Sequence, residues 1–274
     1  MRSHVAPVIS IAKHTLLDEV RQKSFIVMFV ICALFIFMVR GCYQGGYTIN
    51  GQDVEAGKII FLVSGMIFHV IATGVMFLAG LLAMRLFRRD RDDGTQSCIL
   101  SKPITRRQYV AGKVLGLWIL LMVFMFVLHG IVFSITSFKL NTILYSYLVA
   151  SMLCFFNLLF IVMTVLFLSL LMPDIAALLC TIVIVIAGSV AEGILAMKHS
   201  LMSMGQGVAS DSSVWQVIFY LWPKLIGAQR FAVSLITPEG SGYHASVYPL
   251  INILVYCIIV GALLFWRFQK EDIT

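Results

Sequence analysis

The sequence predicts an all-α membrane protein with six transmembrane helices, and three observations predict it. Of its 274 residues, 60% are hydrophobic and only 12% charged, where a soluble domain carries about a quarter charged. The apolar residues gather in six continuous runs, at 25–39, 58–86, 109–138, 144–172, 175–195 and 247–266. None of the runs has the alternating pattern of a barrel strand. In lipid, backbone groups find no water, so such runs must satisfy themselves as helix. The mean hydropathy of +0.97 agrees, and this composition excludes a disordered chain, a collagen-like fibre and a disulfide-rich secreted scaffold.

A hydrocarbon core of roughly 30 Å needs about 20 helical residues. The first run, FIVMFVICALFIFMV, is short and needs Ser24 or Gly41 to Tyr43 to lengthen it, with Arg40 snorkelling outward. In the second and third runs, His69 lies 16 residues before Arg85 and His129 lies 16 residues after Lys113, so antiparallel neighbours would hold them at one depth. An axial haem or metal pair is one reading and hydrogen-bonded packing is the plainer one. Gly112 and Gly116 form a GxxxG that admits close approach of another helix. Asn157 in the fourth run suits a bond across the bundle, and Asp174 suits the cap of the fifth. Glu192, near the outer end of the fifth, either lines an exit path or reaches headgroup water.

Three segments stand outside the spans of what reads as one domain, residues 1–274. Residues 7–23 place Val8, Ala12, Leu16 and Val20 four apart, with Lys13, Asp18, Arg21 and Lys23 largely elsewhere. That pattern reads as an amphipathic helix at the interface, or as a plain charged extension of the first span. A basic loop occupies 87–108. The outer stretch 196–246 contains VWQVIFYLWPKLI at 214–226, too short to cross at about 20 Å of helix, so it lies in the outer interface or dips in and returns. Trp215, Tyr220 and Trp222 suit that depth, and Pro223 favours a break. Glu192, Trp222 and Pro223 are the candidate path or gate residues.

Lysine and arginine stay on the cytoplasmic side. With both termini inside, all but six of the 20 are cytoplasmic, the outer ones being Arg40, Lys58, Lys139, Lys198, Lys224 and Arg230. The net charge of +7 follows from that retention and implies no nucleic-acid partner. No cleavable signal peptide is evident. The six cysteines form no CxxC pair and read as packing residues. Gly57-Lys58 and Gly112-Lys113 lack the spacing of a phosphate-cradling loop, and no HExxH, GxSxG or dinucleotide fingerprint occurs. The chain is therefore expected to have no catalytic residues and to bind no cofactor or metal directly.

The most informative stretch is GTQSCILSKPITRRQYVAGKVLG at 94–116, preceded by RRDRDD. Alternating arginines and aspartates at 88–93 suit a hydrated contact surface of mixed sign, Gly94 permits a turn, and Pro103 fits a helix's first position. The stretch resembles the first cytoplasmic loop of type 2 ABC transporter permeases. The match is carried by Asp93, Gly94, Thr95, Leu100, Ser101, Lys102, Pro103, Ile104, Thr105, Arg106, Tyr109, Gly112, Lys113 and Gly116. The family often has glutamate before Gly-Thr, where this chain keeps the charge with Asp92 and Asp93.

The resemblance covers essentially the whole chain. It implies that residues 7–23 are an elbow helix, including Lys13, Leu16, Val20 and Arg21, and that the 87–108 loop carries a helix coupling to a separate ATPase. It further implies an exporter of two permease copies, identical or related, and two cytoplasmic ABC ATPase subunits holding ATP and Mg, set among the lipids of a bacterial inner membrane. The path would be lined by spans two and five. Other classes are a haem- or metal-handling membrane protein using His69 and His129, and a passive channel or scaffold.

Overall fold

The computed structural model describes residues 5–39, 48–49, 52–53, 56–101, 104–203, 221–236 and 246–270. The chain is almost entirely helical. An elbow helix α1 (Val5–Val20) leads into α2 (Lys23–Val39), and the two axes meet at 69°. Then come α3 (Ala56–Asp92), α4 (Thr95–Leu100) and α5 (Arg106–Leu140). The fourth run is two helices, α6 (Tyr145–Leu153) and α7 (Phe155–Ser169), interrupted at Cys154, whose N–H reaches the Ala150 carbonyl at 3.4 Å. α8 (Asp174–Ser203), a short α9 (Leu225–Ser234) and α10 (Tyr248–Gln269) complete the order.

Five helical segments are long and apolar enough to cross a bilayer: Ile60–Asp92, Arg106–Leu140, Tyr145–Ser169, Asp174–Ile194 and Tyr248–Gln269. The bent α1–α2 unit adds a sixth only if the pair is counted as one span, since α2 alone, with 17 residues, reaches only about 25 Å. The runs read from hydropathy thus coincide with the crossing helices. Most of the α6–α7 span is buried inside the bundle, 67%, against 22% for α8. α7 is the central helix, packed on α3, α5, α8 and α10, and α8 lies at the periphery.

Two features depart from expectation. A small antiparallel ribbon joins β1 (Thr48–Ile49) to β2 (Gln52–Asp53), with Thr48 opposite Asp53. Its signal was Asn50-Gly51 between the strands, a dipeptide that favours two-residue hairpin turns. The second is the face of α1. Ile11, Ala12, Thr15 and Glu19 are buried, whereas Val20 and Ile9 are exposed. The packed stripe is therefore rotated from the predicted Val8–Ala12–Leu16–Val20 line, because α1 meets α5 through its small residues and leaves larger apolar ones uncovered.

α3 and α5 are longer than a membrane requires. At 37 and 35 residues they reach about 55 and 52 Å, against roughly 30 Å of hydrocarbon. At the α4 end both are level with the end of α10, where Phe268 packs on Phe87 and Gln269 accepts from Arg106, so the surplus lies toward the opposite end.

Candidate functional site

α3 ends because Gly94 takes a positive φ of 67°, a conformation natural to glycine. α4 follows at once, with Gln96 buried beneath it and Thr95 and Cys98 exposed. The Ser101 hydroxyl closes the end by donating to the Cys98 carbonyl at 2.8 Å. α5 starts with a reciprocal cap: the Thr105 side chain accepts from the Gln108 backbone, and the Gln108 side chain accepts from the Thr105 N–H at 2.9 Å. Asp93, Gly94, Thr95, Ser101 and Thr105 are exposed, and Ile104 is half-buried. Lys102 and Pro103 lie outside the described residues, and the first residue of α5 is Arg106. The Leu100 side chain also lies outside them.

Two of the expected coupling residues turn away from the loop surface. Tyr109 is wholly buried, stacks near Phe87 and Phe268, and donates its hydroxyl proton to Asp90. Arg106 donates to the Gln269 carbonyl at the end of α10, 3.1 Å away.

Below the loop is a cluster of buried charge. Asp90, 4% exposed, receives the Lys113 ammonium at 2.6 Å, and Lys113 is itself only 3% exposed. Glu19, 2% exposed, takes the Arg89 guanidinium at 3.0 Å and the Gln22 amide at 2.9 Å. Burial raises the Glu19 carboxyl above the ordinary carboxylate range, and Arg89 and Lys113 pull it back down. The predicted hydrated surface at 88–93 is thus only half correct: Asp90 is buried and Arg89 is committed to Glu19, and both serve as internal ties. Arg88 reaches Asp174 in the first turn of α8 at 3.3 Å, placing Asp174 at the helix start as expected.

The glycine pair has a definite partner. A Cβ at Gly112 would stand 2.7 Å from the Ile11 Cβ, and one at Gly116 would stand 2.6 Å from the Ala12 carbonyl oxygen. The GxxxG groove therefore receives the elbow of its own chain. Of the expected elbow residues, Lys13, Val20 and Arg21 are exposed and Leu16 is half-buried.

The other candidate residues meet elsewhere. The Trp222 indole donates to the Ile184 carbonyl at 3.0 Å, and Ile184 is midway along its crossing segment. Asn157, midway along its own, donates to the Leu225 carbonyl at 3.0 Å. Asn252 accepts from the Lys224 N–H at 3.1 Å, and Tyr256 donates to the Leu221 carbonyl. From this mid-bundle anchor α9 runs back along α3, Gln229 meeting His69 at 3.2 Å and Val233 abutting Gly65. Its ten residues span about 15 Å, half a membrane's thickness. Residues 204–220, which include most of the 214–226 patch, lie outside the described residues.

Glu192 and Pro223 join this contact. The Glu192 carboxylate lies against Gly227 in the first turn of α9, and the Pro223 carbonyl lies against Gly188, which leaves room for Trp222. Trp215 and Tyr220 lie outside the described residues. Sequence reading missed α9, although Leu225, Ala228, Gln229 and Ala232 carry the spacing of a buried helical stripe.

The histidines serve different neighbours. His69 faces Gln229, while His129 stacks on Phe68 at 4.3 Å and shares a 2.8 Å hydrogen bond with Ser151. Each is occupied by packing and hydrogen bonding. Among the described residues, no three His, Cys, Asp or Glu side chains gather to hold a metal ion.

Five crossing helices, the bent α1–α2 unit and the α4 loop make this a multi-pass membrane protein. The chain belongs to a family described as ABC-2 family transporter protein, whose profile matches residues 9–273. It is thus a type 2 ABC transporter permease, a transmembrane subunit of an ABC transporter. Curated proteins offer no match.

Proposed function

We propose that the chain is the permease of an exporter in a bacterial inner membrane, driven by a separate cytoplasmic ABC ATPase that holds ATP and Mg. Two permease copies and two ATPases form the working unit, and both termini are cytoplasmic. The ATPase grips α4 and its flanks, from Asp93 to Thr105, when it closes on nucleotide. The push passes directly to α3, α5 and the elbow and rearranges the permease copies around a path that includes α3 and α8. Glu192, Trp222 and Pro223 hold the re-entrant tip beside that path as its gate.

The observation that carries this reading is the position of α4: a six-residue helix with Thr95 and Cys98 exposed, linking α3 and α5 where the Glu19–Arg89 and Asp90–Lys113 ion pairs tie them. Such a corner moves as one body, because packed helices shift as units. Charge reversal of the exposed pair Arg91→Glu and Asp93→Lys should abolish co-purification of the ATPase and transport-linked ATP hydrolysis. The same swap at a distant surface residue, Lys139→Glu, should change neither. Full retention of both properties in the double variant would remove α4 as the docking point.

A further inference from the structure

An open cleft of about 430 Å³ lies between α1, α5 and α10 on the α4 side of the bundle, and none of the roles above uses it. Val8, Ala262 and Phe265 give it an apolar floor, and Arg107, Trp266 and Gln269 stand at its rim. The rim coincides with the start of α5 at Arg106 and the end of α10 at Gln269, so grease gives way to charge within a helical turn. That is the depth of lipid headgroups, where tryptophan also concentrates.

Among the described residues, the mouth carries positive charge from Arg107 at the rim and from Lys270 over Trp266. Arg107 bonds the neutral side-chain amide of Gln269 and has no carboxylate within ion-pair distance among the described residues. The Lys270 ammonium sits 4.1 Å from the centre of the Trp266 ring. A guanidinium fork suits a phosphate, and basic pockets between membrane helices suit anionic headgroups. Small residues leave the floor open, since Ala262 presents only a methyl group where a larger side chain would fill the cleft.

We propose that this cleft binds one anionic phospholipid, its phosphate held by Arg107 and Lys270 and one acyl chain lying along the floor between the elbow and the last span. The lipid would fasten α1 to α10, two elements that the buried ion pairs do not join.

The test is native mass spectrometry of the full-length chain in mild detergent, titrated with phosphatidylglycerol, phosphatidylcholine or inorganic phosphate. One phosphatidylglycerol should remain bound at detergent concentrations that strip phosphatidylcholine. Arg107→Gln combined with Lys270→Gln should lower its retention roughly tenfold. Ala262→Trp, which fills the floor without touching the charges, should lower retention of phosphatidylglycerol by a similar factor. Inorganic phosphate should fail to displace the lipid, since the chain contributes to binding. Equal retention of the two lipids, an unchanged titration in both variants, or displacement by phosphate alone would each overturn the proposal.

Discussion

The two ends of the bundle are fastened by different chemistry. At the α4 end the ties are ionic and buried: Glu19 to Arg89, and Asp90 to Lys113 with Tyr109. At the start of α9, apart from the Glu192 carboxylate, they are neutral groups bonding backbone, as with Trp222 on Ile184, Asn157 on Leu225 and Asn252 on Lys224. Removing one partner of a buried ion pair costs about 3–5 kcal/mol, whereas a hydrogen bond between membrane helices is worth about 0.6 kcal/mol on average. One end is built to hold its shape, and the other exchanges partners at low cost. The proposed coupling, a push at the first end and opening at the second, calls for that asymmetry.

The contrast is broken most severely at Lys113. Lys113→Ala strands Asp90 in the interior and should lower stability by about 3–5 kcal/mol, read as a lower melting temperature in detergent. The paired change Asp90→Asn with Lys113→Met should recover much of that loss, because no charge is then left buried. Arg89→Ala should cost less, since Glu19 already has a raised pKa and escapes by taking a proton. The deficit of this variant should shrink as pH falls, because the ion pair stabilises only while Glu19 is ionised and is lost once it takes a proton.

Gly116→Val comes next. It drives a side chain into the Ala12 backbone and should cost about 1–3 kcal/mol through overpacking, while exposing the elbow to protease near Arg21. Gly130→Val, where a Cβ meets nothing, is the control and should leave both properties unchanged. The smallest effect is expected at the soft end. Asn157→Leu should cost about 1 kcal/mol or less and speed hydrogen exchange at 221–236 without altering exchange at the elbow. A loss as large as that of Lys113→Ala would erase the distinction between the two ends.

Much of this architecture was legible in the residues. The crossing helices follow from apolar run length, and the turn at Gly94 and the helix start after Thr105 follow from local chemistry. The resemblance around 94–116 pointed to the family that the profile match supports over residues 9–273. The face of α1 was not legible, because periodicity reveals an apolar stripe but not whether protein or lipid covers it; the choice was made by Ala12 and Thr15 fitting the glycine groove. The ion pairs under α4 were hidden for a related reason. Alternating arginine and aspartate look solvated until α5 supplies Lys113 and α1 supplies Glu19 from far away in sequence. α9 escaped notice because the aromatic patch before it carries the stronger signal, and its own ten residues are too few to span.

The central claim is that α4 is where another protein's nucleotide hydrolysis enters this bundle. Placing a photo-crosslinking residue at Thr95 on α4, and separately at Phe138 near the opposite end of α5, tests it in intact membranes. Irradiation should join Thr95, and not Phe138, to a polypeptide that mass spectrometry identifies as an ABC ATPase, with a yield that changes when nucleotide is trapped. An ATPase adduct at Phe138, or none at Thr95 beside a fully active transporter, would contradict it.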